Sequence, residues 1–442
     1  MRLVARPSGP IRGRVRPPGD KSISHRALLL GALAEGVTEI DGLLEGEDVL
    51  CTAAAMRAFG AEVARHALGR WRVTGRGSRG FAQPAGSIDF GNSGTGVRLT
   101  MGAASTFPIR ATYTGDSSLS GRPMRRILDP LAQMGARWEA RDDGLLPATV
   151  HGGDLKAIDY ASPHASAQIK SAVLLAGLGA EGVTTVTEPR ASRDHTERML
   201  RAFGVAVEET ETREGIHTAR VAGGARLAAQ RVVVPADPSS AAFLIAAAMI
   251  RPGSDLRLDD VCMNHLRTGF FETVHDMGGI LPVEDYRVET EEPIGDFIVR
   301  PPAGLRGTAP PESRAASMID EYPILSALAA FAEGETTLSG AAELRVKESD
   351  RIALMVEGLR ACGVDAEERS DGLVVHGRGM GGVPGGATVR THGDHRIAMS
   401  FLILGLGAQS PVVVEDAEMI ATSFPGFADL MRSLGADISE TA

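Results

Sequence analysis

Cysteine is scarce in this chain of 442 residues: Cys51, Cys262 and Cys362 stand far apart, and no CxxC or HxxxH spacing occurs. That leaves no metal signature and no disulfide framework, and it fits a reducing compartment. Aromatic residues make up only 4% of the chain. No apolar run reaches membrane-spanning length, because glycine and polar residues interrupt each one. The start, MRLVARPSGPIRG, has no apolar core of a signal peptide, so a cytoplasmic protein with no membrane partner is expected. Positive charge is also in deficit: 46 Lys and Arg face 56 Asp and Glu, a net charge of −10. This argues against general nucleic-acid binding but leaves room for a local basic site.

Repetition is what the chain does have. A helix end followed by glycine and small or apolar residues recurs as RAFGAEV, AQMGARW, RAFGVAV, HDMGGIL, RACGVDA and RSLGADI. The marker glycines, Gly60, Gly135, Gly204, Gly278, Gly363 and Gly435, are spaced 69 to 85 residues apart, so six units fill the chain. Glycine just past a helix end supplies a left-handed cap, and the apolar residues after it begin a strand. Upstream of each marker lies an apolar helix, then a β-rich run, then a more polar helix. Each unit therefore reads strand–helix–strand–helix–strand–strand, an α/β module too small to cover its own sheet. Two similar domains of three modules follow, with the apolar helices central. The predicted boundaries are residues 21–233 for modules one to three, and 1–20 plus 234–442 for modules four to six. In this division the N-terminal strand returns to the second group, and the chain crosses near Val232 to Asp237.

Every central helix begins with polar or charged residues: GDKSISHR, GNSGTG, HASAQIK, ADPSSAA, SMIDEYP and GDHRIA. Helix starts offer unpaired N–H groups and a positive dipole end. With Lys21, Ser22 and Arg26 at the first, they make the ingredients of a phosphate or carboxylate site. Gly91 to Gly96 let backbone approach a ligand closely, though the spacing is neither a dinucleotide fingerprint nor a Walker loop. Ser166, Gln168 and Lys170 supply hydroxyl, amide and ammonium donors at the third start. Taken singly, each of these is better explained by an ordinary cap, a plain turn or a solvated cation; Arg122 and Arg193 gain weight from their shared register in the repeat. Lys347, Glu348 and Arg351 are placed on one helical turn. Asp320 and Glu321 stand at the fifth start with no cation beside them in sequence, and His395 and Arg396 at the sixth.

In order along the chain, GDKSISHR, GNSGTGVRL, RPM, SAQIKSA, SMIDEYP, RVKESDR, GDHRIAMSF and TSFPGF resemble the 5-enolpyruvylshikimate-3-phosphate synthases over nearly the whole length. The resemblance implies an α/β fold of two three-module domains, an inside-out α/β barrel, closing over the substrates. It implies transfer of the enolpyruvyl group of phosphoenolpyruvate to the 5-hydroxyl of shikimate-3-phosphate, by a monomer without metal or organic cofactor. Lys21, Ser22, Arg26, Ser166, Ala167, Gln168, Arg193, Asp320 and Lys347 are then expected at shikimate-3-phosphate. Lys21, Asn92, Gly94, Thr95, Arg122, Gln168, Arg351 and Arg396 are expected at phosphoenolpyruvate, where glyphosate would also bind. Asp320, Glu348 and Lys21 are the expected catalytic residues. Ala167 stands where the better-known branch has a second serine, and Thr422 where it has a lysine, which resembles the second class of the family. Two rival readings rank below this one. The sister transferase acting on UDP-N-acetylglucosamine carries a cysteine on the loop that here reads GDSSLSGRPM. A DNA sliding clamp would need basic helix faces, whereas these helices are apolar.

Overall fold

The computed structural model describes residues 1–441. It divides into two compact units: Met1–Pro18 with Ala236–Arg287 and Pro293 onward, and Gly19–Pro235 with Val288–Glu292. Relative to the predicted boundaries, the breaks fall at 18/19 and 235/236. The short tip 288–292 of a hairpin also counts with the second unit. Each unit has its own hydrophobic core.

Six four-stranded sheets are present among the described residues, and all share one topology. The second module shows it plainly. Ile88–Asp89 runs parallel to Arg110–Thr114, while Leu145–His151 runs antiparallel to Arg110–Thr114 and to Arg137–Arg141. The spatial order is first, second, fourth, third. A parallel pair requires a crossover, and the central helix Gly94–Ala104 provides it.

Three modules complete themselves with distant chain. In module one the parallel strand is Arg231–Val233, with Arg231 opposite Glu39. In module four it is Arg12–Val15, with Arg12 opposite Asp255. The N-terminal strand Arg2–Arg6 becomes the fourth strand of module six, pairing Leu3 with Val414 and Val4 with Ser439.

The central helices are Lys21–Leu33, Gly94–Ala104, Ala167–Gly177, Pro238–Met249, Tyr322–Ala329 and His395–Gly407. Their sequences are apolar nearly all round, and Pro238–Met249 is buried at every position. Burial of each leucine or isoleucine contributes about 1.5–3 kcal/mol before entropy is counted. Two of these helices meet backbone to backbone. A Cβ on Gly102 would lie 2.3 Å from the carbonyl oxygen of Ala172, so only glycine fits there. The six marker glycines all adopt positive φ, from 76° at Gly363 to 111° at Gly135, as left-handed helix ends require.

Candidate functional site

In the second unit the starts of the first, second and third central helices are tied together by side chains. Gln168 Nε2 donates to Thr95 Oγ1 at 2.9 Å, and Arg98 Nη1 donates to Gln168 Oε1 at 2.6 Å. Arg26 Nη2 donates to Ser171 Oγ at 2.8 Å, and its Nε donates to Thr196 Oγ1 at 2.6 Å. Asp20 caps the first helix by accepting Ile23 N at 2.8 Å. Ser93 and Ser166 occupy the equivalent positions without forming a side-chain cap.

Lys21 is part-buried and held by Asp48, whose Oδ2 lies 2.5 Å from its Nζ. Arg122 Nη2 donates to Asn92 Oδ1 at 2.5 Å and to Ser118 Oγ at 3.2 Å, while Asn92 Nδ2 donates to Asp116 Oδ2 at 2.7 Å. Gly94 lies under two guanidinium groups. A Cβ there would be 3.1 Å from Arg122 Nη1 and 3.5 Å from Arg98 Nη1. Arg26 is 3% exposed and meets only neutral oxygen partners directly, so burial draws its pKa down to about 10 despite the field of Glu197. Burial, and then the cations Lys21 and Arg26, hold His25 well below its usual value, hence neutral.

The first unit repeats the pattern with acids added. Asp394 caps the sixth helix, accepting Arg396 N at 2.9 Å. Its other oxygen accepts Arg351 Nε at 2.8 Å and Ser349 Oγ at 2.9 Å. The same Arg351 guanidinium lies 2.6 Å from Glu348 Oε2 and 3.5 Å from Asp320 Oδ1. One buried cation thus brings the two expected acid–base carboxylates to a common point. Lys347 Nζ lies 3.7 Å from Asp320 Oδ1, and Arg396 Nη1 donates to the Asp320 carbonyl at 2.8 Å. Glu321 is buried, accepts from Ser239 Oγ and lies 3.7 Å from Arg396. Ser239 also receives Arg267 at 2.9 Å.

Two expectations differ from the structure, and a third is completed by it. Lys347 and Glu348 lie outside any helix: a 3-10 turn ends at Val346 and the helix begins at Arg351, with Asp350 as its cap. The sequence places no cation beside Asp320, but folding brings three there. Lys170 is not an open ammonium donor, since it is fully buried among protein partners.

Ser22 and Ala167 stand at their helix starts, with the Ser22 carbonyl accepting Arg26 Nη1 at 2.9 Å. Arg193 follows Ser192 in the loop before the helix His195–Ala202. Thr422 is buried and donates to the Met419 carbonyl at 2.7 Å, with His395 Nδ1 at 3.5 Å.

Sequence reasoning missed Asp48, Arg98, Asp116 and Asp394. Arg98 had a signal, as the only charge inside an apolar helix and four residues beyond Gly94. Asp48 had none, because its partner lies 27 residues away.

Among the described residues, one cluster has ligand atoms close enough to hold a metal: Asp194, His195 and Glu292. Its atoms are already engaged, Asp194 with Arg198 at 2.7 Å and Glu292 with His195 Nδ1 at 2.7 Å. No helix is long and apolar enough to cross a membrane among the described residues.

Six copies of one module, with cations gathered at central helix starts and a pair of carboxylates held by Arg351, are the arrangement expected of an enolpyruvyl transferase. The sequence matches the family described as EPSP synthase (3-phosphoshikimate 1-carboxyvinyltransferase) over residues 5–431. It is 57% identical to a 3-phosphoshikimate 1-carboxyvinyltransferase of Caulobacter vibrioides, over 99% of both chains. The same figure holds for its counterpart in Cereibacter sphaeroides, over 99% of this chain and 98% of the relative. The fold is similar to the solved EPSP synthase of Acinetobacter baumannii, with a TM-score of 0.88 and 43% identity, covering 99% of this chain and all of that one. The chain belongs to the EPSP synthase family.

Proposed function

We propose that this enzyme transfers the enolpyruvyl group of phosphoenolpyruvate to the 5-hydroxyl of shikimate-3-phosphate and releases phosphate. The observation that carries the reading is the single guanidinium of Arg351 joining Asp320 and Glu348, in a chain whose second unit gathers Lys21, Arg26, Arg98 and Arg122 at helix starts. Two anionic substrates repel one another in water. Fixed cations and helix amides offset that repulsion without reorganising during reaction.

Shikimate-3-phosphate is assigned to Ser22, Arg26, Ser166, Ala167, Gln168 and Arg193, with Asp320 and Lys347 at its hydroxyls. Phosphoenolpyruvate is assigned to Lys21, Asn92, Gly94, Thr95, Arg122, Gln168, Arg351 and Arg396. Asp320 takes the proton of the 5-hydroxyl as its oxygen bonds to C2. Glu348, with Lys21, serves the protonation of C3. The tetrahedral adduct then expels phosphate as the C3 proton returns to the protein, regenerating the double bond. The reading includes a monomeric enzyme of the cytoplasm, with no metal, organic cofactor, nucleic-acid or membrane partner. It is tested by phosphate release with shikimate-3-phosphate and phosphoenolpyruvate, using UDP-N-acetylglucosamine as the control acceptor. Release with the control alone would overturn it.

No thiol takes part in this chemistry. Cys262 and Cys362 are buried, and burial pushes the Cys362 thiol up to about 12. Burial and the nearby Asp48 push Cys51 up to about 11. A variant with Cys51→Ser, Cys262→Ala and Cys362→Ala is expected to turn over within a few-fold of the wild type. Abolished turnover in a protein of unchanged circular dichroism would restore a covalent thiol route.

Glyphosate competes with phosphoenolpyruvate in this reading. A methyl group at position 94 would press on Arg122, which must give by a few tenths of an ångström, and would rest in ordinary contact with Arg98. Gly94→Ala should therefore weaken the longer inhibitor more than the substrate, by roughly tenfold or more in inhibition constant. Titration of glyphosate at fixed phosphoenolpyruvate decides this. Equal constants for the two forms would mean that position 94 does not set the length of the subsite.

A further inference from the structure

Lys170, Glu188 and Glu197 form a buried ionic frame, each with a side-chain exposure of 0%. Lys170 Nζ lies 3.0 Å from Glu188 Oε2 and 2.9 Å from Glu197 Oε1, and donates to the Ser192 carbonyl at 3.1 Å. Two carboxylates and one carbonyl thus enclose the ammonium. Burial alone would lower the Lys170 pKa, but Glu197 and Glu188 outweigh it and the net direction is upward. Lys170 is therefore a permanent cation with no reach into solvent.

The far side of the frame faces the site. Glu188 Oε1 accepts Ser166 N at 2.7 Å, and both Glu188 oxygens accept Ser192 Oγ, at 2.9 and 2.8 Å. One carboxylate thus fastens the residue that opens the third central helix to the residue immediately before Arg193. Glu197 lies in the first turn of the helix His195–Ala202, next to Thr196. Thr196 Oγ1 accepts Arg26 Nε and donates to Ser171 Oγ at 2.6 Å. Three separate segments that carry Ser166, Arg193 and the support of Arg26 therefore converge on one ammonium group.

Desolvating such a network is costly, and apolar side chains of similar volume would often serve stability as well or better. Apolar side chains could not accept Ser166 N or hold the Ser192 carbonyl, so what the ions add is orientation. We propose that Lys170 and Glu188 are positioning residues for the subsite that binds the phosphate of the acceptor substrate, fixing Ser166 and Arg193 before that substrate arrives. The proposal rests on the function assigned above.

The test is steady-state kinetics on Lys170→Met, on Glu188→Gln with Lys170→Met, and on Ser192→Ala, with thermal melting of each. Lys170→Met is expected to raise KM for shikimate-3-phosphate by roughly tenfold or more, the scale of lost hydrogen bonds to charged groups. KM for phosphoenolpyruvate and kcat should move by less than about threefold. The double variant should recover part of the loss, because the glutamine carbonyl still accepts Ser166 N and one uncompensated charge is gone. Ser192→Ala removes one hydroxyl and keeps the ion pairs, so it should fold and still raise the same KM a few-fold. It decides the matter if Lys170→Met does not fold. A purely structural role would lower the melting temperature or the active fraction and leave KM for shikimate-3-phosphate unchanged, which would overturn the proposal. A wild type without turnover on this substrate pair would overturn the assigned function as well. Wild-type turnover with unmoved KM in the folded variants would overturn the positioning role alone.

Discussion

Replacement of Asp320 by asparagine is expected to lower turnover by about 100-fold or more, the scale of a lost general base, while shikimate-3-phosphate still binds. Asparagine keeps the shape and the oxygen acceptor of the side chain but cannot take a proton. Asp320 stands in the 3-10 turn before the fifth central helix, within reach of Lys347 at 3.7 Å and Arg351 at 3.5 Å. In the proposed chemistry this carboxylate accepts the proton of the hydroxyl. The measurement is kcat by phosphate release, together with substrate binding by calorimetry. Turnover within a few-fold of the wild type would remove Asp320 from the chemistry. Loss of binding with kcat preserved would make it a substrate ligand only.

Arg351→Met is expected to be the most damaging single change to the stability of the first unit. Arg351 is 2% exposed and serves Asp394, Glu348 and Asp320 at once. Removing the cation strands three carboxylates around a buried point, at a cost of about 3–5 kcal/mol. For a unit of this size, melting should fall on the order of 10 °C. The pH dependence should also change sign. Although burial opposes ionisation, Arg351 and the hydrogen bonds hold the Asp394 pKa below its ordinary value. In the wild type this contribution is present above the unfolded pKa of about 4 and is lost as pH falls through the folded one. Without Arg351, burial dominates and the folded pKa rises above the unfolded one. The variant should then be least stable at neutral pH and recover as pH falls toward about 5. A melting temperature within about 2 °C of the wild type at neutral pH would contradict this account.

Both predictions depend on contacts between residues far apart in the chain, and the same distinction runs through the whole molecule. Local chemistry specified the modules. Apolar runs of helical length, marker glycines with φ near 76–111° and β-rich segments after each helix depend on neighbours within a few residues. The six helix starts were legible for the same reason, and with them Lys21, Gly94, Ser166 and Gln168. The charges at 345–351 were legible as a group but not as a shape. Helical spacing suggested one turn, whereas the chain turns through Lys347 and Glu348 before Asp350 caps the helix.

What the sequence by itself determined was the repeated α/β module, its central helices and the polar residues at their starts, because helix periodicity and capping are short-range. Only the tertiary structure decided which strand completes which sheet: Arg231–Val233 in module one, Arg12–Val15 in module four and Arg2–Arg6 in module six. Strand edges are chemically alike, and pairing over hundreds of residues leaves no local mark. The tertiary structure likewise decided which charges face a ligand and which face one another. Lys170 and Lys21 look equivalent as lysines in polar helix starts. Lys170 sits one turn deeper, enclosed by Glu188 and Glu197, whereas Lys21 is part-buried at the end of its helix beside Asp48. Desolvation and the nearest carboxylate set the role of a cation, and both are properties of the folded surroundings.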